Sequence, residues 1–99
     1  ALVGACEVPL EIMRTCAEAI DLIETFAEKG SKIAISDAGV GATLLKSALQ
    51  GASLNIYINT KSMADKKAAT SYNKEADELR ETYEKKADEI FNLVCAKIR

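Results

Sequence analysis

The 99-residue sequence contains no histidine and no tryptophan, and it has only three tyrosines, two phenylalanines, one proline and five glycines. Without histidine, neither histidine acid–base catalysis nor histidine metal ligation is available. No apolar run approaches the ~20 residues that a membrane-spanning helix needs, and no signal peptide is recognisable. So few prolines and glycines argue against a loop-rich or all-β chain. The sequence therefore favours a helical globular protein with no membrane segment and no metal site.

Cysteine usage and net charge further narrow the class of protein to which this chain can belong. Cys6, Cys16 and Cys95 are far apart and form no C-x-x-C pair. This usage is typical of a reduced, intracellular protein in which cysteine serves as a small apolar residue, so we expect a cytoplasmic location. Thirteen basic and fifteen acidic residues give a net charge of −2. Nucleic-acid-binding domains normally carry a basic excess, and we therefore expect no nucleic-acid partner.

Length and periodicity predict one all-α domain. Apolar residues make up 48% of the chain and charged residues 28%, which is ordinary globular composition. Apolar positions recur every three or four residues, which predicts three long helices packed as an antiparallel bundle. We place them at residues 1–28, 37–61 and 66–97. Pro9 lacks an N–H, so the first helix should either begin near Val8 or kink there.

The junctions between these helices carry recognisable end signals. Gly30 is typical of the position just past a helix C-terminus. Residues 31–35 are expected to form a short, semi-apolar connection, with Ser36 as N-cap of the second helix and Asp37 in its first turn. Before the third helix, either Ser62 or Asp65 is expected to act as the cap.

The second helix is unusual because its apolar arc is wide and has a middle line of small or polar residues. A wide apolar arc predicts a helix covered by several neighbours. At ~100° per residue, one ~120° arc of this helix contains Asp37, Gly41, Leu44, Ala48, Gly51, Ala52, Asn55, Asn59 and Ser62.

The polar members of that line, together with Lys61, are the candidate site. Small residues allow a flat ligand to approach, and Asn55 and Asn59 offer paired donors and acceptors for a heterocyclic amide. Asp37 is the candidate catalytic residue, as a general base or as the anchor of an amino-pyrimidine, and Lys61 is placed to meet a ligand carboxylate. In the structural alternative, Asp37 is a cap, the asparagines form a buried bond between helices, and Lys61 complements the helix C-terminus.

An ordered set of short motifs carries a family resemblance. They are V-P-L at residues 8–10, S-D-A-G-V at residues 36–40, G-A at residues 51–52 and N-I-Y-I-N-T-K-S at residues 55–62. In this order they resemble the cyclodeaminase/cyclohydrolase family. That family comprises the cyclodeaminase domain of formimidoyltransferase-cyclodeaminase and the methenyltetrahydrofolate cyclohydrolases. The resemblance spans nearly the whole chain, is strongest over residues 4–63 and is only compositional over the last helix.

The resemblance implies an all-helical fold about twice as long as this chain, assembled as dimers or larger oligomers. It implies an enzyme that acts on tetrahydrofolate one-carbon units. One branch eliminates ammonia from 5-formimidoyltetrahydrofolate, and the other opens the methenyl ring with water to give 10-formyltetrahydrofolate. The folate derivative is the substrate, and no metal or redox cofactor is implied.

Family members also have an upstream half with a Gly-Gly-Gly-Ser-type segment and the acidic residue usually proposed as catalytic. Neither is present in this chain, so we expect residues 1–99 to be a single helical domain that forms the C-terminal half of such a protein. Alone, it should be inactive or should recruit the missing N-terminal half. We also predict a homo-oligomer, at least a dimer, with the second helix at or near the interface. The alternative is a helical interaction module without catalysis, which would have no folate affinity.

Overall fold

Three long helices make up the fold. The computed structural model describes the backbone of residues 2–30 and 32–99, and the side chains of residues 4–30 and 34–99. The helices are α1 (Leu2–Lys29), α2 (Lys32–Lys61) and α3 (Lys66–Ile98), and no strand occurs in the described ranges. Each helix packs against both others, in an antiparallel bundle of 51 × 17 × 16 Å. The predicted all-α bundle of three long helices is confirmed.

The start of α2 differs from the predicted one. Residues 32–35 are already helical, so Ser36 and Asp37 lie one turn inside α2 and do not form its N-cap and first turn. Ser31, the first residue of the predicted connection, lies outside the described residues. The physical reason is Ile35, which is 0% exposed within a core cluster. Its burial extends the helix upstream of the local capping signal, because tertiary packing outweighs a cap worth ~1 kcal/mol.

Pro9 lies inside α1, so of the two alternatives predicted for this segment, the one in which the helix begins near Val8 is wrong. An internal proline costs ~3 kcal/mol through the lost hydrogen bond and the clash with the preceding turn. Here the flanking positions Cys6 and Met13 are both 0% exposed in one core cluster. Their burial on either side of Pro9 holds the segment helical in spite of that cost.

Local hydrogen bonds close the helix ends. As predicted, Gly30 follows the last residue of α1, and its N–H donates to the Phe26 carbonyl at 2.6 Å. The Asp65 carboxylate accepts a hydrogen bond from the Ala68 N–H at 3.0 Å and is the N-cap of α3. Near the far end of α3, Lys97 Nζ donates to two carbonyls in the last turn of α1, at 2.7 and 3.1 Å. A cation in that place complements the negative end of the α1 dipole.

The core is divided into two clusters along the bundle, and both draw on all three helices. The first contains Cys6, Leu10, Met13, Cys16, Leu49, Ala52, Ile56, Met63, Ala69 and Ala76. The second contains Ile20, Ala27, Ile35, Ala38, Ala42, Ala87, Ile90 and Val94. The many alanines allow the helix axes to lie close together.

Tyrosine hydroxyls bonded to carboxylates link α3 to its neighbours. Tyr83 packs partly buried against both core clusters, and its hydroxyl donates to Asp21 on α1 at 2.8 Å. On α2, the Tyr57 hydroxyl donates to Asp77 of α3 at 2.6 Å. Tyr72 packs against the first cluster, and its hydroxyl bonds Glu7. Tyr72 and Tyr83 therefore lie at the edge of the core with their hydroxyls bonded to α1.

The carboxyl group of Asp21 gives a prediction for unfolding at acid pH. The hydrogen bond from Lys86 and that from Tyr83 lower the pKa of the Asp21 carboxyl, against the opposing effect of burial. A carboxylate with a lowered pKa stabilises the fold above its unfolded pKa of ~3.9, and this contribution is lost as the pH falls through the folded pKa. We expect the stability difference between wild type and Asp21→Asn to shrink between about pH 6 and about pH 3.

Urea unfolding at a series of pH values measures this difference. The effect should be modest, because the Asp21 side chain is 46% exposed and solvent screens exposed ion pairs. Glu78→Gln, at an exposed position of α3, serves as the control and should show no such dependence. A gap between wild type and Asp21→Asn that stays constant over this pH range would contradict the assignment.

Candidate functional site

One side of α2 is apolar and exposed. Its inward side belongs to the two core clusters, whereas its opposite side exposes Val40, Leu44, Leu54 and Ile58 by 57–69% of their accessible surface. A Cβ added at Gly51, between them, would meet nothing within 4 Å. The wide apolar arc predicted from the sequence is therefore present, and only half of it is covered.

A second exposed apolar stripe runs along α1, formed by Val8, Ile12, Leu22 and Phe26. On both helices the mean direction of the stripe is turned by roughly 100° or more from the mean direction of the side chains that reach α3. On α1 those are Arg14 and Asp21, and on α2 they include Lys46, Gln50 and Tyr57. The two stripes thus form one surface on the side of the bundle away from α3. We call these eight residues the outer face.

The predicted site residues lie on or beside this outer face. Asp37 and Asn55 are exposed, Asn59 is half-buried, and Lys61 is exposed as the last residue of α2. Because α2 is continuous over residues 32–61, Asp37, Asn55 and Asn59 point to the same side, as the helical periodicity predicts.

The same continuity separates these residues along the helix. At ~1.5 Å rise per residue, Asp37 lies ~27 Å from Asn55 and ~33 Å from Asn59 along the axis. Asn55, Asn59 and Lys61 form a group at the C-terminal end of α2, and Asp37 lies near the N-terminal end. Within one chain, the structure does not bring the candidate catalytic residue together with the candidate binding residues.

The structural alternative disagrees with the structure for Asp37 and the asparagines, whereas Lys61 does lie in the last turn of α2, as that alternative predicts. Asp37 is not a helix cap, because α2 begins upstream of it. The asparagines do not bond across two helices: Asn59 Nδ2 donates to the Asn55 carbonyl of the same helix at 2.7 Å. That bond uses one of the two amide N–H donors of Asn59 and leaves the other donor and the side-chain oxygen available. Both asparagines are therefore available to a molecule outside the described chain.

A groove that the sequence reasoning missed lies between the start of α2 and the end of α3. It has a volume of about 310 Å³, and its lining includes Gly39, Val40, Phe91 and Cys95. A Cβ on Gly39 would lie 3.0 Å from Val94 Cγ1, so glycine is what allows α3 to approach here. The closely spaced glycines of the S-D-A-G-V-G segment were the available signal.

Among the residues that the structure describes, no three His, Cys, Asp or Glu side chains are grouped so that they could hold a metal ion. In the same part of the chain, no helix combines the length and apolar character needed to cross a membrane.

The fold and its outer face define an all-α bundle that presents amides, a carboxylate and a lysine on the uncovered side of one helix. The chain belongs to the formiminotransferase-cyclodeaminase family, whose model matches residues 1–78. It is also similar to a methenyltetrahydrofolate cyclohydrolase of Methylorubrum extorquens, with 39% identity over 98 residues. That match covers 99% of this chain and 47% of the relative, so the chain spans about half the length of the curated relative that it matches.

These comparisons confirm the resemblance read from the short motifs. The family match contains all of α1 and α2 and the first part of α3, and it ends at residue 78. Every candidate site residue and the whole outer face therefore lie within the matched region. The last part of α3, where the resemblance was only compositional, lies outside it.

Proposed function

We propose that this chain is part of an enzyme of folate one-carbon metabolism, of the methenyltetrahydrofolate cyclohydrolase type. The observation that carries the proposal is the position of Asn55, Asn59 and Lys61 on the uncovered side of α2, inside the family match. The name of the relative favours the cyclohydrolase over the cyclodeaminase reaction. The family match also favours an enzyme over a non-catalytic helical module.

The proposed hydrolysis needs residues of these types. In the hydrolysis, water adds to the cationic methenyl carbon and loses one proton, and the remaining hydroxyl proton moves to the departing ring nitrogen as the C–N bond opens to give the 10-formyl product. No electrons are exchanged with a second reagent, and the proposal includes no metal or redox cofactor. Because ~33 Å of helix separate Asp37 from Asn59, one substrate meets both only where the proposed homo-oligomer or N-terminal half brings the two ends of α2 into one site. In such a site we assign Asp37 to orient the water or accept its proton, Asn55 and Asn59 to polar edges of the pterin or the one-carbon bridge, and Lys61 to the glutamate tail.

The oligomeric state, the partners and the cellular location of this chain are also proposals. The exposed outer face supports a homo-oligomer, at least a dimer. The relative's greater length supports the assignment of residues 1–99 to one half of such a protein, and the motif resemblance makes this the C-terminal half, with an N-terminal half as a further partner. The free cysteines Cys6, Cys16 and Cys95 support a reducing compartment, the cytoplasm. The net charge of −2 supports the absence of a nucleic-acid partner.

Asn59→Ala tests the proposed site. We expect the variant to weaken tetrahydrofolate binding by ~1–3 kcal/mol, because the bound ligand would lose a desolvated hydrogen bond. This corresponds to a roughly 5- to 150-fold increase in Kd by isothermal titration. Helix content by circular dichroism should stay unchanged, since the side chain is not part of the core.

Asn92→Ala, at an exposed position of α3, is the matched control and should leave the affinity unchanged. If the wild-type chain binds no folate at any accessible concentration, the proposed function fails for this chain. If Asn59→Ala unfolds the bundle, the residue has a structural role and the assignment of Asn59 to the ligand is wrong.

A further inference from the structure

Two side-chain hydrogen bonds hold the C-terminal end of α2 to α3. The Thr60 hydroxyl donates to Asn73 Oδ1 at 2.7 Å, and the Tyr57 hydroxyl donates to Asp77 Oδ1 at 2.6 Å. The two α2 residues are one helical turn apart, and so are the two α3 residues, so each pair shares one side of its helix. The two bonds are therefore neighbouring links between the same two helix surfaces.

These links alternate along the chain with the candidate binding residues. Asn55 and Asn59 lie on or beside the outer face, whereas Tyr57 and Thr60 reach α3. Thr60 stands directly between Asn59 and Lys61 in the sequence. A movement of Thr60 relative to α3 would therefore move both of these candidate ligand contacts with it.

The last turn of α2 is the part of the helix that most needs such a link. The last carbonyls of a helix have no partner four residues further on, and helix ends fray. Here the N–H groups of Ser62 and Met63 close the turn on the Asn59 and Thr60 carbonyls, both at 3.2 Å. These bonds lie within the turn itself, so they are lost together when it opens. The bond to Asn73 instead ties the turn to the continuous helix α3.

Loss of the bond to Asn73 should not unfold the chain. Thr60 is 3% exposed, but its hydroxyl also lies 3.2 Å from the Tyr57 carbonyl of its own helix. Without Asn73 the hydroxyl can donate there, so no buried polar group is left unpaired. Ile56 and Met63, on either side of Thr60, remain buried in the first core cluster. The contribution of Asn73 is therefore to the position of the last turn rather than to the core.

We propose that Asn73, acting through Thr60, is a positioning residue for the folate site at the C-terminal end of α2. It holds the last turn in the conformation in which Asn59 and Lys61 meet the ligand, so that binding does not have to order this turn. The inference rests on the proposed function and adds to it a residue of α3 that does not touch the substrate. Asn73 lies inside the family match over residues 1–78.

Isothermal titration with tetrahydrofolate tests the effect on affinity. Asn73→Ala should raise Kd roughly 2- to 10-fold, the factor that one net hydrogen bond supplies. Asn73→Asp keeps an acceptor oxygen in the same place and should retain most of the wild-type affinity. Gln50→Ala is the matched control. It removes a 2.8 Å side-chain bond between the same two helices, to Glu84, but near the middle of α2, and it should leave Kd unchanged.

A double-mutant cycle tests whether the effect passes through Thr60. Thr60→Val removes the hydroxyl with little change in volume and should raise Kd as much as Asn73→Ala does. The two substitutions together should raise Kd no further, because both remove the same bond. Thr60→Ser keeps the hydroxyl and should bind tetrahydrofolate like the wild type.

Amide hydrogen exchange tests the conformational part without any ligand. In the Asn73→Ala chain, the amides of Ser62 and Met63 should exchange roughly 2- to 10-fold faster, because the last turn opens more often. The amide of Leu49, in the middle of α2, should keep its wild-type rate. A loss of global stability would instead raise the exchange rates of all three amides.

Several outcomes overturn the inference. Unchanged exchange at Ser62 and Met63 means that Asn73 does not hold the last turn, and faster exchange with an unchanged Kd means that the ligand does not use it. Equal losses of affinity in Asn73→Ala and Gln50→Ala mean that both act through general stability. A Thr60→Ser chain that binds as weakly as Thr60→Val means that the hydroxyl is not the link. If the wild-type chain binds no tetrahydrofolate, the proposed function fails, and the role of Asn73 in affinity fails with it, whatever the exchange rates show.

Discussion

Replacing Ile56 with alanine is expected to destabilise the bundle by about 2–5 kcal/mol, as is typical when a fully buried isoleucine is truncated. Ile56 is 0% exposed and lies in the first core cluster with Leu49 and Met13, where α1 and α2 meet. Alanine would remove its transfer free energy and leave a cavity that interlocking helices cannot fill. Urea unfolding followed by circular dichroism measures the loss.

Ile58→Ala is the matched control, two residues further along the same helix. Ile58 is 69% exposed on the outer face, so truncation should change the stability of the monomer by no more than about 0.5 kcal/mol. Both variants should be measured at a concentration below that of self-association. If the two variants cost the same, the assignment of inner and outer sides of α2 is wrong.

The number of helices and most of their ends could be predicted from local pattern. The end of α2 at Lys61 and the start of α3 at Lys66 agree with the predicted ends, because a polar break and the Asp65 cap coincide there. The start of α2 could not be predicted in this way. Ser36 is a favourable cap in isolation, and only the burial of Ile35 against the other helices decides that the helix begins earlier.

The sequence could predict which candidate residues share one side of α2, but not which flank of that side the core would cover. Helical periodicity placed Asp37, Asn55 and Asn59 on one arc, and the structure agrees. The arc is apolar on both of its flanks, so periodicity could not tell which flank the core would cover. In the structure Leu49 and Ile56 are inside, and the side with Leu54 remains exposed. Only the positions of α1 and α3 decide between them.

Residues on one helical arc point in the same direction, but the arc does not say how far apart they lie along the helix axis. Asp37 and Asn59 share an arc, and yet ~33 Å of helix separate them. Residues that share a side of a long helix therefore act on one small ligand only if another chain or segment brings the two ends together. This separation is why a single-chain site fails for these residues.

Two glycines of α2 should respond in opposite ways to the same substitution. Gly39 is buried, and a Cβ there would lie 3.0 Å from Val94 Cγ1 and 3.3 Å from Val94 Cβ. Gly39→Leu should therefore overpack the contact between α2 and α3 and destabilise the monomer by about 1–3 kcal/mol. Urea unfolding of the variant below the concentration of self-association measures this loss.

Gly51→Leu should instead stabilise the monomer, by about 0.5–1 kcal/mol, because a Cβ there meets no atom within 4 Å and glycine is a poor helix former. In the proposed homo-oligomer α2 lies at or near the interface, so the same leucine should abolish the oligomer in sedimentation. A more stable monomer that no longer associates is hard to obtain by general damage to the fold. A Gly51→Leu chain that is more stable and still dimeric would place the interface elsewhere, and one that is less stable would mean that this side of α2 is covered within the monomer.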